Sequence, residues 1–331
     1  MAVRRRKQRR GRSYAWRYRG RIVACVFVEV LIICALVIMV GWNKGVKEWF
    51  EQFEQPVLKE VDISGINSPN AILMQARGGK VLGEINGDEK IYPASMTKIM
   101  TVILGIENFD DLDEKITLTD EMFAGLYEQD ATQAGFQPGE EVRVIDLLYG
   151  AMLPSGAECC IALADTISGS EADFAELMNK KAAKLGMDNT HFCDSTGLHN
   201  PDHYSTVKDI AVLMKYCIKN DTFREIIETA RHSTGVTNIH PDGITYYSTM
   251  FKNLSDSTVT GGKILGGKTG YTSEAGHCLV SFAEIEGREY IFVSAGASGA
   301  DGNTIPHIQD AVTVYNRVGA AIEAKMNDNN K

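Results

Sequence analysis

The chain has 331 residues, with 34 Lys or Arg, 43 Asp or Glu and a formal net charge of −9. The first 21 residues hold ten of the basic residues and no acidic one, so 24 basic and 43 acidic residues remain after Arg21, a net charge of −19. Such an acidic body excludes nucleic acid and anionic lipid as partners of this part of the protein. The 44% of hydrophobic residues is enough for a large core.

An apolar run over residues 22–42, interrupted by Glu29, follows the basic head. Twenty residues at helical rise span about 30 Å, the thickness of the hydrocarbon core of a bilayer. A cleaved signal peptide is the alternative, but it has a shorter apolar region and ends in a small-residue site, which Trp42-Asn43-Lys44 does not provide. Because basic flanks stay inside, we predict a basic cytoplasmic segment over 1–21, one transmembrane helix over 22–42 and an extracytoplasmic remainder, anchored in the cell membrane.

The next segment, residues 43–60, has apolar residues at helical spacing before Pro56, and we interpret it as a juxtamembrane linker. The predicted catalytic domain covers 61–326 and is followed by a short tail over 327–331. A domain of this length fits a single large core.

Strand patterns stand at the two ends of this domain, and helical patterns lie between them. The first hairpin contains Ala71–Met74 and a Gly78-Gly79 turn, and the last joins Cys278–Ala283 to Tyr290–Ser294. Apolar periodicity predicts helices that begin at Ser95 and that cover Val142–Met152, Glu158–Thr166, Phe174–Lys184, Val207–Ile218 and the region from Ile305 to Met326. This order predicts an α+β fold, an antiparallel β-sheet faced by a helical region.

A chain of this length should contain roughly one S-x-x-K sequence by chance, and this chain contains two. Ser205-Thr206-Val207-Lys208 opens an apolar-periodic run, so we interpret it as a helix N-terminus. Ser95-Met96-Thr97-Lys98 follows Pro93, which interrupts the preceding regular structure, and Ser95 begins a helix. The unpaired N–H groups in the first turn of a helix carry a partial positive charge that can stabilise an oxyanion. Lys98 projects from the same helix face, within reach of the Ser95 hydroxyl.

A serine hydroxyl needs a base to accept its proton, and Lys98 can be that base only when it is neutral. Desolvation or a second cation lowers a lysine pKa, and Lys268, 170 positions later, would be that cation if the two segments meet. Lys268 opens the glycine-rich run Lys268-Thr269-Gly270-Tyr271, where a substrate backbone can approach a strand closely. S-x-x-K followed by K-T-G is a signature of serine acyl transfer.

On these motifs the chain resembles the serine-type D-alanyl-D-alanine carboxypeptidases, the low-molecular-mass penicillin-binding proteins, over about Ile63 to Gly302. Segments such as Asp194-Ser195-Thr196-Gly197-Leu198 and Ala275–Val280 share in the resemblance. It implies a substrate, the peptidoglycan stem peptide ending in D-Ala-D-Ala, and inhibition by β-lactam antibiotics, without a cofactor or a metal.

The resemblance also implies roles for individual residues. Ser95 is the acylated nucleophile and Lys98 its base. Lys268 and Thr269, with Gly270 and Tyr271 beside them, bind the substrate, and the N–H groups of Ser95 and Tyr271 form the oxyanion hole.

The resemblance fails where the family carries Ser-x-Asn, because this chain reads Ser155-Gly156-Ala157. Ser155 can still relay a proton between Lys98 and the leaving amine, but the amide that would hydrogen-bond the substrate is lost. In addition, the stretch from Gly296 to Asn303 lacks the arginine that many relatives have. A catalytically weak or inactive protein that only binds peptide or β-lactam is therefore the alternative.

Two other hydrolase classes are disfavoured. Glu176 and Asn179 resemble part of the deacylating segment of β-lactamases, but they lie inside a predicted amphipathic helix. His199 and His203 have helical i, i+4 spacing, but a proline lies between them and no H-E-x-x-H is present, which disfavours a zinc carboxypeptidase. We interpret the adjacent Cys159 and Cys160 as small buried apolar side chains, because adjacent cysteines rarely form a disulfide.

Overall fold

The computed structural model describes residues 58–299 and 305–329. The strands are β1 (Asn70–Gln75), β2 (Val81–Ile85), β3 (Lys115–Thr117), β4 (Glu141–Arg143), β5 (Arg231–Ser233), β6 (Thr245–Tyr247), β7 (Thr258–Val259), β8 (Gly262–Thr272), β9 (Gly276–Ile285) and β10 (Arg288–Ala297). The helices are α1 (Lys98–Asn108), α2 (Val144–Met152), α3 (Ala157–Ser168), α4 (Glu171–Leu185), α5 (Val207–Cys217), α6 (Asp221–Glu228), α7 (Thr249–Asn253) and α8 (Pro306–Asn329). Two 3₁₀ turns cover Ala94–Thr97 and Asp120–Phe123.

Six strands form the main sheet, in the order β2-β1-β10-β9-β8-β7, and neighbouring strands are antiparallel. This confirms the predicted antiparallel sheet with helices on its face. β8 pairs with β9 along its length, whereas β7 covers only Gly262 and Lys263 on the other side. In the described part of the chain, the edge of β8 from Leu265 to Thr272 therefore has no strand partner.

Helices cover both faces of this sheet, and the side chains of each strand alternate between two cores. On β1, Ile72 and Met74 belong to the larger core with α1 to α5, while Ala71 and Leu73 belong to the smaller core, which also contains residues of α8 such as Tyr315. Fully burying one such side chain stabilises the fold by about 1.5–3 kcal/mol. Burial on both faces explains why Cys278–Ala283 is apolar at every position except Ser281 and does not alternate between apolar and polar residues.

Helix α1 lies inside the larger core, with all residues from Lys98 to Gly105 buried. It crosses α2 so closely that a Cβ at Gly105 would lie 2.7 Å from Leu148 Cδ2. A helix enclosed on all sides by α2, α3 and α5 is a rigid support for the residues at its N-terminus.

The predicted helices correspond to α2, α3, α4, α5 and α8, with ends that differ by a few residues. Helix α2 begins after Arg143, and not at Val142, because Glu141–Arg143 pairs with Lys115–Thr117 as a small sheet. Helix α8 continues to Asn329, past the predicted domain end at residue 326.

The second S-x-x-K sequence forms a helix N-terminus, as predicted, but the residue that caps the helix is Thr206 and not Ser205. The Thr206 hydroxyl accepts a hydrogen bond from the Asp209 N–H at 3.0 Å and caps α5. Ser205 is buried beside Thr190, and Lys208 forms an exposed ion pair with Asp88.

No helix within residues 58–299 and 305–329 is long and apolar enough to cross a membrane. The predicted cytoplasmic segment, the predicted transmembrane helix and most of the predicted linker lie outside the described residues.

Candidate active site

Ser95 lies in the 3₁₀ turn Ala94–Thr97, which leads directly into α1, and its side chain is partly exposed. The preceding residue, Ala94, has φ +47°, a left-handed backbone that an L-residue adopts at a cost of about 1–3 kcal/mol. Gly197 packs against this turn so closely that a Cβ there would overlap the Ala94 carbonyl. The surrounding structure thus holds the serine in a turn that it would not adopt by itself.

Lys98 is directly beside this serine. Its Nζ donates hydrogen bonds to Ser95 Oγ at 2.9 Å and to the carbonyl of Thr196 at 2.7 Å. The side chain is buried, and burial lowers the pKa of Lys98. A lysine that loses its proton more readily, in contact with a serine hydroxyl, is placed to act as a general base.

Asp194 holds the loop that supplies the Thr196 carbonyl. Its Oδ1 accepts hydrogen bonds from the N–H groups of Thr196 at 2.7 Å and Gly197 at 2.6 Å, while Oδ2 lies 3.1 Å from His203 Nδ1. The other ring nitrogen of His203 lies 2.9 Å from Thr97 Oγ1. A buried polar chain therefore connects the nucleophile turn to the loop behind Lys98.

These contacts predict a specific pH dependence of stability. Burial opposes the ionisation of Asp194, but the hydrogen bonds and positive charge of His203 and the neighbouring N–H groups outweigh it and lower the pKa of Asp194 to about 2. A lowered pKa contributes stability that is present above the unfolded-state value near 3.8 and is lost as the pH falls towards 2. We expect Asp194→Asn to reduce the free energy of unfolding at pH 7 by about 2 kcal/mol.

Urea unfolding of the wild type and of Asp194→Asn at pH 7 and pH 3 measures this effect. The difference between them should shrink at pH 3, because Asp194 of the unfolded wild-type chain takes up a proton below about pH 3.8 while the folded protein keeps its carboxylate ionised down to about pH 2. Asp188→Asn is the matched control, since Asp188 is an exposed carboxylate nearby in the chain. A difference that is equal at both pH values would show that charge is not the cause.

Strand β8 brings Lys268 to the same place. Its side chain is buried, and its Nζ donates to the Thr269 carbonyl at 2.9 Å. Burial and the positive charge of Lys98 both lower the pKa of Lys268. The two predicted motifs therefore meet, and the charge of Lys98 makes it harder for Lys268 to stay charged.

Gly270 explains how closely strand and serine approach each other. A Cβ at this position would lie 2.9 Å from Ser95 N and 3.1 Å from Ala94 Cβ, so only glycine fits without a shift. Next to it, Thr269 Oγ1 lies 2.7 Å from Thr249 Oγ1 at the start of α7. Gly270, on the unpaired edge of β8, thus lies against the backbone of Ser95, and the neighbouring Thr269 hydroxyl contacts the start of α7.

Ser155 lies between α2 and α3 and is unusual in two ways. Its φ is +74°, and its buried Oγ has no hydrogen-bond partner in the described part of the chain. Strained backbone and unsatisfied polar groups both collect at functional sites. Ala157, two residues on, is buried, and its N–H donates to the Thr132 carbonyl at 2.8 Å.

Glu158 fastens a neighbouring loop to this turn. Its Oε1 accepts hydrogen bonds from the N–H groups of Ala134 at 2.6 Å and Gly135 at 2.9 Å, while Oε2 is buried without a partner in the described chain. Burial raises the pKa of Glu158. The carboxylate thus binds loop backbone, and it brings a negative charge close enough to Lys98 to act on its pKa.

This arrangement predicts opposite outcomes for two substitutions. The raised pKa means that the fold disfavours the ionised form of Glu158. At any pH above 4.5, the pKa of this group in the unfolded chain, its ionisation therefore reduces the free energy of unfolding. Glu158→Gln keeps an acceptor oxygen and removes the charge, so its free energy of unfolding at pH 7 should equal or exceed that of the wild type. Glu158→Leu leaves two N–H donors without acceptors and should cost about 1–3 kcal/mol.

Urea unfolding at pH 7 tests both Glu158 variants. Equal destabilisation by Gln and Leu would contradict the assigned hydrogen bonds.

The structure also shows the surroundings of the adjacent cysteines and of Glu176. Cys159 and Cys160 are buried, and the five described cysteines are all free. Burial raises the pKa of Cys160 to about 12, so this thiol is not reactive at neutral pH. Glu176 is exposed on α4 and forms an ion pair with Lys180, inside a helix as predicted.

The two predicted histidines separate in the structure. His203 belongs to the buried chain described above, while His199 packs edge-on against Tyr92 near the surface. No group of His, Cys, Asp or Glu in the described ranges has the arrangement of a metal site.

A family model described as D-alanyl-D-alanine carboxypeptidase matches residues 57–299. The chain belongs to this family. D-alanyl-D-alanine carboxypeptidase DacF of Bacillus subtilis is 36% identical over 231 residues, covering 69% of this chain and 57% of the relative. DacC of Escherichia coli is 35% identical over 262 residues, covering 72% and 58%. The chain thus spans somewhat more than half the length of these curated relatives.

The fold of this member of the D-alanyl-D-alanine carboxypeptidase family is similar to that of a solved structure over most of the chain. The crystal structure of the Streptomyces K15 DD-transpeptidase has a TM-score of 0.70 and 29% identity, and the match covers 79% of this chain and 100% of that one. A curated relative from Streptomyces strain K15 is named D-alanyl-D-alanine carboxypeptidase and is 34% identical over 243 residues.

The structure places all seven predicted site residues in two groups. Ser95, Lys98 and the β8 residues Lys268, Thr269 and Gly270 adjoin, and Tyr271 follows on the same strand. Ser155 lies in the turn between α2 and α3. Glu158, in the first turn of α3, is close enough to Lys98 for its negative charge to raise the pKa of that lysine.

Sequence reasoning missed the roles of Asp194, His203 and the Thr196 carbonyl. The sequence did contain a signal for the Asp194 contacts. An aspartate two residues before Thr196 and three before Gly197 can accept hydrogen bonds from their N–H groups, which is the pattern of an Asx turn.

Proposed function

We propose that the protein is a serine peptidase that removes the C-terminal D-alanine from peptidoglycan stem pentapeptides through an acyl-Ser95 intermediate, and that β-lactams acylate the same serine. The observation that carries the proposal is the buried Lys98 Nζ, 2.9 Å from Ser95 Oγ, under the unpaired edge of β8. Membership of the D-alanyl-D-alanine carboxypeptidase family supports the substrate class.

In the acylation step, Ser95 Oγ attacks the carbonyl carbon of the penultimate D-alanine and its proton passes to neutral Lys98. The N–H groups of Ser95 and Tyr271 hold the oxyanion, and each such donor is typically worth about 3–4 kcal/mol. The peptide C–N bond then breaks, and the proton passes from Lys98, by way of Ser155, to the amine of the departing D-alanine. Water attacks the ester in the second half-reaction and releases Ser95.

Lys268 and Thr269 bind the terminal carboxylate of the substrate. Burial disfavours the charge on Lys268 in the free protein, and an incoming carboxylate restores it, because an opposite charge stabilises the ammonium form. A charged Lys268 then keeps the neighbouring Lys98 neutral. Substrate binding thus prepares the base for its role.

The test uses the full-length protein and a stem pentapeptide. Release of free D-alanine, and a mass increase equal to one penicillin after incubation with that drug, are the expected results. Neither product nor adduct would overturn the proposal. Rapid loss of the adduct with hydrolysed penicillin in solution would instead indicate a β-lactamase.

A second candidate, a protein that binds peptide but turns it over weakly or not at all, is favoured by one observation. Ala157 has no side-chain amide for the substrate, and Ser155 beside it is strained and unpaired. Asn303, in the stretch without arginine, lies outside the described residues.

The Ala157→Asn variant decides between the two. If the missing amide limits an active enzyme, the variant should raise kcat/KM for D-alanine release about fivefold to tenfold, the value of one recovered hydrogen bond. Calorimetric binding of the pentapeptide without D-alanine release in either form would establish the binding protein.

We also propose that the apolar run over 22–42 anchors the catalytic domain on the outer side of the cell membrane. The support is the basic head before it and the acidic body after it. Protease added to intact cells should digest the catalytic domain, and protection of the domain would contradict this topology.

A further inference from the structure

Helix α7 begins beside the strand that binds the terminal carboxylate in the proposed reaction. The Oγ1 of its first residue, Thr249, lies 2.7 Å from Thr269 Oγ1, and either hydroxyl can be the donor of this hydrogen bond. Both threonines are half-buried. The proposed reaction uses the Thr269 hydroxyl and leaves the Thr249 hydroxyl without a role.

The position of Thr249 is fixed by its backbone and by its neighbour in α7. The Thr249 N–H donates to the carbonyl of Leu153 at 3.1 Å. Met250 is buried, and a Cβ at Gly267 of β8 would lie 2.6 Å from its Sδ. Threonine is also stiff at χ1, because it is β-branched. The Thr249 hydroxyl therefore has a defined place against β8.

The number of available protons decides which hydroxyl donates once a carboxylate is bound. A threonine hydroxyl has one proton to donate, and a carboxylate can only accept. When Thr269 donates its proton to the substrate carboxylate, it has none left for Thr249. The hydrogen bond between the two threonines then requires Thr249 as the donor and Thr269 Oγ1 as the acceptor.

This direction of the hydrogen bond affects how strongly Thr269 binds. A hydrogen bond that a hydroxyl accepts strengthens the one that it donates, because the two bonds polarise each other. Hydrogen bonds to a charged acceptor are roughly twice as strong as those between neutral groups. The support from Thr249 therefore contributes more to the binding of a terminal carboxylate than to the binding of a neutral carboxamide at the same place.

We propose that Thr249 is a positioning residue that donates to Thr269 Oγ1, directs the Thr269 proton to the terminal carboxylate of the substrate, and so favours peptides with a free acid over peptides with an amidated C-terminus. The inference rests on the proposed peptidase function and extends it to the choice of substrate. Stem peptides whose terminal carboxyl group is blocked are then the poorer substrates.

The experiment uses the full-length protein and two pentapeptides, one ending in D-alanine and one ending in D-alaninamide. Thr249→Val keeps the shape of the side chain and removes its hydroxyl. It should lower kcat/KM for D-alanine release about fivefold, the effect of one hydrogen bond, and lower D-alaninamide release at most twofold. The loss should appear in KM and not in kcat, because the carboxylate is bound in the substrate complex and in the transition state alike. Thr249→Ser keeps the hydroxyl and should retain the wild-type preference.

Thr222→Val is the matched control, because it makes the same change in the first turn of another helix, α6. It should leave the kinetics with both peptides unchanged. Unchanged kinetics in Thr249→Val would overturn the proposal. An equal loss on both peptides, or a loss that Thr249→Ser shows as well, would indicate a structural role and would also overturn it.

A failure of the proposed peptidase function gives a different result, release of neither product by the wild type. The calorimetric affinities of Ser95→Ala for the two peptides then provide the same test without turnover. Addition of Thr249→Val to this variant should weaken the binding of the acid about fivefold and that of the amide at most twofold. Equal changes for the two peptides, or no change, would contradict the role of Thr249.

Discussion

Ser95→Ala is expected to reduce D-alanine release by a factor on the order of 10⁴–10⁶, as when a serine hydrolase loses its nucleophile. The physical reason is that the Ser95 hydroxyl, which lies 2.9 Å from Lys98 Nζ, is the proposed nucleophile, and alanine supplies no hydroxyl. The rate of D-alanine release from a pentapeptide and the intact mass after exposure to penicillin measure the loss, and the variant should form no adduct. Adduct formation in this variant would place the nucleophile elsewhere.

The second S-x-x-K sequence offers the control for this experiment. Ser205 is buried two residues before α5, and its hydroxyl lies within hydrogen-bond distance of Thr190. It has no part in the proposed chemistry at the edge of β8. Ser205→Ala should lower stability by about 1 kcal/mol through one lost hydrogen bond and keep both D-alanine release and adduct formation. The two serines share a motif, and only the one that faces Lys98 and β8 should matter for chemistry.

The acylation rate is expected to rise about tenfold per pH unit up to the pKa of Lys98 and then to level off. Only the neutral amine accepts the Ser95 proton, and burial lowers the pKa of Lys98 below its ordinary 10.5, so the plateau begins below that pH. The second-order rate constant for acylation by penicillin, followed between pH 5 and 10, measures this profile. A rate independent of pH would exclude Lys98 as the base.

Substitution of the base completes this prediction. Lys98→Ala should lower the rate by about 10²–10⁴, the usual contribution of a general base, and abolish the rise with pH. Lys208→Ala changes the corresponding lysine of the other motif, which forms only an exposed ion pair with Asp88. It should leave both the rate and the profile unchanged.

The contact between Ser95 and Lys98 was predictable because it depends only on local helical geometry. The meeting with Lys268 required the pairing of two motifs, since periodicity alone carries no information about contacts between distant segments. The polar chain from Thr97 through His203 to Asp194 could not be derived in this way. It joins residues 106 positions apart through an irregular loop whose course is set by tertiary packing.

The long, periodic elements of the fold were also predictable, in contrast to the short ones. β3, β4, β5 and β6 have three residues each, too few for an alternating pattern, and they exist because a neighbouring segment pairs with them. The left-handed backbone of Ser155 likewise has no sequence signal, because serine seldom adopts it.

The unpaired edge of β8 has a consequence for the behaviour of the protein in solution. Exposed N–H and C=O groups on a strand edge are a template on which a second polypeptide can add, the usual route to unwanted self-association. β7 pairs only with the first two residues of β8, Gly262 and Lys263, and leaves this edge open. Because the opening that admits a peptide is the same opening that admits another copy, an inhibitor seated there should also keep concentrated protein monodisperse.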